Sequence, residues 1–140
     1  MYAVIEFLQQ IGKYEVIIHN KLIEVKQWKA LAENTSSILT PDKVQTSGSK
    51  QKMAEAVEKY VTIEHEINDY IDKLYDAKKE VLSKIEQLEP VEYDVLHKIY
   101  VQFMTFQDVA DAYVKSYSWA CKQHTKALES LEEILKRENT

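Results

Sequence analysis

The sequence predicts an all-α protein, in which a long antiparallel helical hairpin resembling a coiled coil precedes a small domain of three helices. Only two glycines and two prolines occur in 140 residues, so there is little material for tight turns. Strong helix formers such as Leu, Lys, Glu, Gln and Ala recur along most of the chain. The hydrophobic content of 45% is sufficient for a globular core. We expect the hairpin in residues 1–88 and the three-helix domain in residues 89–140.

The first helix is predicted from Tyr2 to Glu33, because apolar residues return there every three or four positions. Apart from a gap at Glu15, they are Val4, Leu8, Ile11, Ile18, Leu22 and Val25. Gly12 lies inside this pattern and costs a helix about 1 kcal/mol relative to Ala, which permits a bend or a break.

A loop of about residues 34–49 follows, since this stretch is rich in Ser and Thr and contains Pro41. Three apolar residues in it are expected to anchor the loop in part: Ile38, Leu39 and Val44.

The second helix is predicted from Ser49 to about Leu88 and carries a heptad pattern of apolar residues. These residues are Met53, Val57, Tyr60, Ile67, Ile71, Leu74, Val81, Ile85 and Leu88, with interruptions at Glu64 and Lys78. A helix of about 38 residues is roughly 57 Å long and needs a partner along its length.

Charged residues interrupt both helices at the same interval, which suggests a register. Glu15 and Lys29 are fourteen residues apart, as are Glu64 and Lys78. An antiparallel pair places Glu15 near Lys78 when Lys29 lies near Glu64, whereas a parallel pair places like charges together. Polar seam residues are a known means of fixing alignment. Coincidence is the alternative interpretation, because breaks in an apolar seam are common.

Three short helices are predicted after the helix boundary at Glu89-Pro90. They cover Val91–Val101, Phe106–Tyr113 and Ser116–Lys136, and their apolar residues can close a small core. This arrangement is the minimal helix-turn-helix layout. Thr105 and Ser116 are placed to cap the second and third of these helices by accepting from exposed backbone N–H groups.

The segments LEPVEYDVLHKIY, TFQDVADAY and SYSWACKQHTKAL resemble the sigma-70 region 4-like helix-turn-helix of phage and prophage transcription regulators of Gram-positive bacteria. The resemblance covers about residues 88–135, and the long hairpin before it also looks like members of that group. It implies a regulator that binds promoter DNA, and can also contact RNA polymerase, through the C-terminal helices, with the hairpin used for oligomerisation or partner contact.

The resemblance implies that the DNA-binding residues lie at the start of the last helix. They are Lys115, Ser116, Tyr117, Ser118, Trp119, Lys122 and Lys126. The hydroxyl groups would meet base edges or phosphates, and the lysines would meet phosphates. Tyr117 and Trp119 have an alternative role as core or interface aromatics.

The chain departs from the family pattern at the turn and in its charges. Val114 stands where the family usually has a small or glycine-like residue, and Trp119 and Ala120 stand where it usually has arginines. The commonest bidentate recognition of guanine is then unavailable. Residues 1–88 hold twelve Lys and fourteen acidic residues, and residues 89–140 hold six Lys or Arg and nine acidic residues. Neither part is basic, so DNA binding requires a local positive surface.

A second function class therefore stays open, a helical phage assembly or packaging adaptor whose C-terminal helices make protein contacts. The acidic charge of -5 favours it. In either class we expect a homodimer or other homo-oligomer in the bacterial cytoplasm.

Other classes are not favoured by the sequence. We expect neither an enzyme nor a bound cofactor, because no nucleophile motif or glycine-rich phosphate loop is present. The four histidines are His19, His65, His97 and His124, and their spacing fits no metal site. No apolar run approaches the roughly 18 residues of a membrane span, so we expect no membrane partner.

Overall fold

The computed structural model describes residues 2–38 and 47–139, and within these it contains helices and no strand. The five α-helices are α1 (Tyr2–Ile38), α2 (Ser47–Ile85), α3 (Pro90–Leu96), α4 (Phe106–Ala112) and α5 (Tyr117–Glu138). A π-helical turn, His97–Val101, continues directly from α3. The prediction of an all-α chain with a long N-terminal helical hairpin is confirmed.

The predicted loop between the hairpin helices is too long. α1 continues to Ile38 and α2 begins at Ser47, so both helices extend into the Ser- and Thr-rich stretch. In long helices, backbone hydrogen bonding and packing outweigh the weak helix propensity of these side chains. The predicted anchoring at Leu39 and Val44, and the position of Pro41, lie outside the described residues.

Gly12 does not break the first helix, because α1 is continuous from Tyr2 to Ile38. Gly12 instead allows Phe103 to approach α1 closely, within the C-terminal unit that is defined below. A Cβ atom added at Gly12 would lie 3.3 Å from Cε1 of Phe103. The glycine therefore leaves room for an aromatic ring.

The chain forms two compact units that do not coincide with the predicted division at residue 88. The C-terminal unit comprises Met1–Tyr14 and Leu74–Thr140, and the hairpin unit comprises Glu15–Lys73. The base of the hairpin therefore belongs to the same compact unit as α3, α4 and α5. The predicted division into functional domains stays a prediction.

Within the hairpin unit, α2 turns a different stripe toward α1 than the sequence suggested. One predicted stripe contained Val57, Glu64 and Ile71, but all three are exposed. The residues before them are more buried: Ala56, Ile63 and Tyr70. The prediction was wrong by one residue on this side of the heptad, because two adjacent apolar stripes run along α2 and Glu64 interrupts only the exposed one.

α1 shows the same displacement in the hairpin unit. Leu22 and Lys29 are exposed, whereas Lys21 and Trp28 are half-buried and Val25 is buried. Lys21 takes the packed position instead of Leu22, and its ammonium binds Glu66 of α2 at 2.5 Å.

The register of the hairpin unit follows from two contacts between α1 and α2. Besides the pair of Lys21 and Glu66, the ammonium of Lys29 lies 5.3 Å from the ring centroid of Tyr60. Lys29 therefore makes a cation–π contact with Tyr60, and its predicted proximity to Glu64 stays a prediction.

The C-terminal unit has a core to which the start of α1 and the end of α2 both contribute. α1 supplies Val4, Leu8 and Ile11, and α2 supplies Ala77, Val81 and Ile85. The later helices supply Leu96, Ala127, Leu128 and Leu131. The middle of α5 is thus packed against three other elements of this unit.

A second core cluster lies under α4 and the start of α5. Its buried members are Val95, Val109, Ala110 and Ala120. Aromatic and aliphatic side chains surround it: Ile99, Met104, Phe106, Tyr113 and Trp119. This cluster joins α3, α4 and α5 into the three-helix arrangement that the sequence predicted.

Candidate nucleic-acid interface

The first turn of α4 is fixed by a capping box. The amide of Asp108 donates to Oγ1 of Thr105 at 3.0 Å, and the amide of Thr105 donates to Oδ2 of Asp108 at 3.0 Å. The hydrogen bonds from Thr105 lower the pKa of the Asp108 carboxyl. The predicted cap at Thr105 is confirmed, and the reciprocal bonds hold the entry of the chain into α4.

The end of α4 forms a Schellman motif. The amide of Lys115 donates to the carbonyl of Ala110 at 2.9 Å, and the amide of Val114 donates to the carbonyl of Asp111 at 3.1 Å. Val114 takes the left-handed position of this motif with φ of 53°. A β-branched residue is unfavourable there, and the side chain is 89% exposed. The turn therefore forms even though valine disfavours the left-handed backbone conformation.

Ser116 caps α5, as predicted. Its Oγ accepts from the amide of Trp119 at 3.1 Å. α5 then runs from Tyr117 to Glu138, so the connection between α4 and α5 is Tyr113–Ser116. A connection of this length is typical of a helix-turn-helix.

Asp94 of α3 holds the end of α4 in place. The hydroxyl of Tyr113 donates to Oδ2 of Asp94, and Nζ of Lys98 lies 3.0 Å from Oδ1. Burial alone would raise the pKa of Asp94, but the bonds from Tyr113 and Lys98 outweigh it and lower that pKa. Burial and the bond to Asp94 raise the pKa of Tyr113 to about 12. The last residue before the strained turn is thus tied to α3.

The inner face of α5 is positioned by an aromatic cluster around His124. Nε2 of His124 lies 2.7 Å from the hydroxyl of Tyr100, and the two rings stack. The edge of Phe106 packs on the imidazole at 4.9 Å between centroids. Burial lowers the pKa of His124 and raises that of Tyr100. His124 is therefore a neutral packing residue near pH 7.

Six of the seven predicted DNA-binding residues are exposed and lie together at the start of α5. They are Lys115, Ser116, Tyr117, Ser118, Lys122 and Lys126. Ser118, Lys122 and Lys126 follow at steps of four and so share one helix face.

Trp119 points differently from the other six. It is half-buried in the second core cluster, where its ring lies 5.0 Å from that of Tyr113. This placement favours the alternative, structural role.

The exposed surface is only locally positive. Residues 105–126 contain three lysines and two aspartates, and both aspartates have local roles in α4. Asp108 is in the capping box, and Asp111 accepts from Nε2 of Gln107 at 2.9 Å. Beyond Lys126 the sequence of α5 turns acidic with Glu129, Glu132 and Glu133. The lysines predicted to contact phosphate thus lie within residues 115–126, before this acidic part of α5.

The sequence did not predict the residues that brace this surface. Tyr100 and Tyr113 were expected only as apolar core positions, and Asp94 was not singled out. Their polar partners are 19 and 24 residues away in the chain. An aspartate four residues before Lys98 was the only local signal.

No family model, curated protein or solved structure matches this chain. Among residues 2–38 and 47–139, no group of His, Cys, Asp and Glu is arranged to hold a metal ion. No helix in that part of the chain has the length and apolarity needed to cross a membrane.

Proposed function

We propose that the chain is a DNA-binding transcription regulator of phage or prophage type, with α4, the turn and α5 as its helix-turn-helix. The observation that carries the proposal is the start of α5. A serine-capped helix follows a Schellman turn, with Lys115 exposed just before the cap and Ser118 and Lys122 exposed in the first two turns. In such motifs the first turns of the second helix enter the major groove.

The contacts of this surface would be mainly to phosphate. Backbone N–H groups at the start of α5 attract anions, and the lysines act as point charges. Tyr117 and Ser118 carry the hydroxyls that could reach base edges. With no arginine at these positions, we expect modest sequence preference and strong dependence on salt. Contact with RNA polymerase and a homodimer belong to the same proposal, as the resemblance implies.

Binding is tested by fluorescence anisotropy with a duplex of random sequence at about 50 mM and about 200 mM salt. The wild-type protein is expected to bind at the lower salt and to lose affinity at the higher one. Replacing Lys122 and Lys126 by Ala removes two phosphate contacts, and the slope of log K against log salt becomes shallower by about 2.

The matched control replaces two exposed lysines of α2, Lys52 and Lys79, by Ala. It changes the net charge equally but leaves α5 intact, so the salt slope is expected to stay unchanged. Equal losses in both double variants would mean that binding reflects overall charge. No binding at about 50 mM salt would remove the DNA proposal altogether.

A helical assembly adaptor is the second candidate, and one observation favours it. At the tip of the turn, Val114 is 89% and Tyr117 53% exposed, which is apolar surface suited to protein contact. The total charge of -5 agrees with this function. Light scattering after size exclusion separates the candidates, since a ring of many subunits supports the adaptor and a dimer supports the regulator.

A further inference from the structure

We propose that one side of the hairpin unit binds a second copy of this chain, forming an antiparallel four-helix bundle. The proposal concerns α1 and α2 within Glu15–Lys73; it specifies the homodimer of the proposed function and does not depend on DNA binding. It starts from the apolar stripe that the structure leaves exposed on α2. In this stripe Val57, Val61 and Ile71 are 37%, 41% and 47% exposed.

The exposed stripe on α2 is self-complementary. Its residues Val61, Glu64, Asn68 and Ile71 follow at steps of three, four and three, which read the same in both directions. An antiparallel copy therefore places Val61 against Ile71 of the second copy, and Glu64 against Asn68. Apolar groups meet apolar groups, and a carboxylate meets an amide that donates to it. A two-fold contact requires this symmetry, since the same patch serves both copies.

α1 presents a matching residue on the same side of the hairpin. Each stripe residue follows a residue of the packed seam, as Leu22 follows Lys21 and Glu64 follows Ile63. One residue turns a helix by about 100°. Because α1 and α2 are antiparallel, this turn points to the same side on both helices. Leu22 is 48% exposed there, so both helices contribute apolar area to one surface.

The register of the hairpin places the centre of the α2 stripe level with Leu22 of α1. Lys21 binds Glu66, and Glu66 lies midway between Glu64 and Asn68. A two-fold axis through the centre of the α2 stripe therefore also passes Leu22, which meets Leu22 of the second copy. The same axis brings Lys29 level with Glu15 of the second copy, which are opposite charges. The centre of the α2 stripe and Leu22 of α1 thus fit a single axis.

The opposite side of the hairpin unit is a poorer surface for a copy. The groove there is lined by charged side chains around Trp28, including Glu24, Glu55, Glu58 and Lys59. Burying several glutamate carboxylates against a second copy would cost more than burial of the Trp28 ring supplies. The apolar side is therefore the one assigned to the second copy.

The interface is tested by sedimentation equilibrium of the full chain without DNA. Ile71→Glu is expected to raise the dimer dissociation constant at least about 100-fold, because the residue occurs twice in a two-fold contact. Ile23→Glu is the matched control, as Ile23 is 42% exposed on α1 outside the stripe. It is expected to change the constant less than about threefold. Circular dichroism checks that both variants keep the helical content and melting temperature of the parent.

Cross-linking tests the direction of the pair in a Cys121→Ser background. Leu22→Cys is expected to form a disulfide with its own copy. A mixture of Glu64→Cys and Asn68→Cys chains is expected to cross-link more than either alone. A parallel pair gives the reverse, with Glu64→Cys chains linking to each other. The proposal is overturned by that result, by equal effects of Ile71→Glu and Ile23→Glu, by a larger oligomer, or by a monomer at about 100 μM.

Discussion

Replacing Val114 by Gly is expected to stabilise the protein. Val114 adopts φ of 53° in the Schellman turn after α4. The left-handed region costs an L-residue about 1–2 kcal/mol, and a β-branched residue is at the upper end. Glycine removes this cost but gives the unfolded chain additional freedom, worth about 0.5–1 kcal/mol. Because the side chain is 89% exposed, little packing is lost. The net expected gain is about 1 kcal/mol.

Urea denaturation followed by circular dichroism measures this gain as a higher midpoint at constant slope. The melting temperature should rise by about 2–4 °C for a chain of this size. Val114→Ala is the matched control, because it removes the branch and keeps Cβ, so it should recover only part of the gain. A loss of stability in Val114→Gly would refute the reasoning, as it would mean that the valine makes contacts that compensate for its backbone.

Three further perturbations test the packing around the candidate site. Gly12→Leu is expected to destabilise the fold by about 1–3 kcal/mol through overlap with the Phe103 ring, and most of that loss should disappear in a Phe103→Ala background. Tyr113→Phe removes a hydrogen bond to the Asp94 carboxylate and should cost about 1–2 kcal/mol at pH 7 in urea denaturation. Since the fold lowers the pKa of Asp94, this contribution is present above its unfolded value of 3.8 and should fade as the pH falls below it. The fold also lowers the pKa of His124 from 6.5, so the unfolded chain binds more protons below that value, and stability should fall between pH 7 and pH 5. His124→Gln should flatten that part of the stability profile, and an unchanged profile would show that His124 does not titrate differently in the fold.

The helices themselves were predictable because their signals are local. The caps at Thr105 and Ser116, the boundary at Pro90 and the order of the elements all follow from residues within one turn of each other. The boundaries of the loop could not be predicted, since Ser and Thr disfavour a helix only weakly and a long neighbouring helix extends through them. A seven-residue repeat defines a stripe but not which of two adjacent stripes is packed. In α2, Ala56 is buried while the larger Val57 beside it is exposed, so residue size pointed to the wrong stripe.

The braces of the candidate site were not predictable for a different reason. Asp94 meets Tyr113, and Tyr100 meets His124, across distances that only the packing of α3, α4 and α5 fixes. Val114 is the informative exception. A valine at the predicted turn was visible in the sequence, and its positive φ shows that it takes a backbone conformation that favours glycine.

The salt dependence of DNA binding tests the DNA interface and the dimer together. Each copy offers three exposed lysines at the start of α5, namely Lys115, Lys122 and Lys126. Three phosphate contacts give a salt slope of about -2.7, which is a weak site on its own, whereas two linked copies give about -5.4. Ile71→Glu leaves α5 intact but separates the copies, so it should halve the slope and lower the affinity. Ile23→Glu should leave both unchanged. If Ile71→Glu dissociates the dimer and the slope stays the same, each copy binds DNA independently and the bundle serves another purpose.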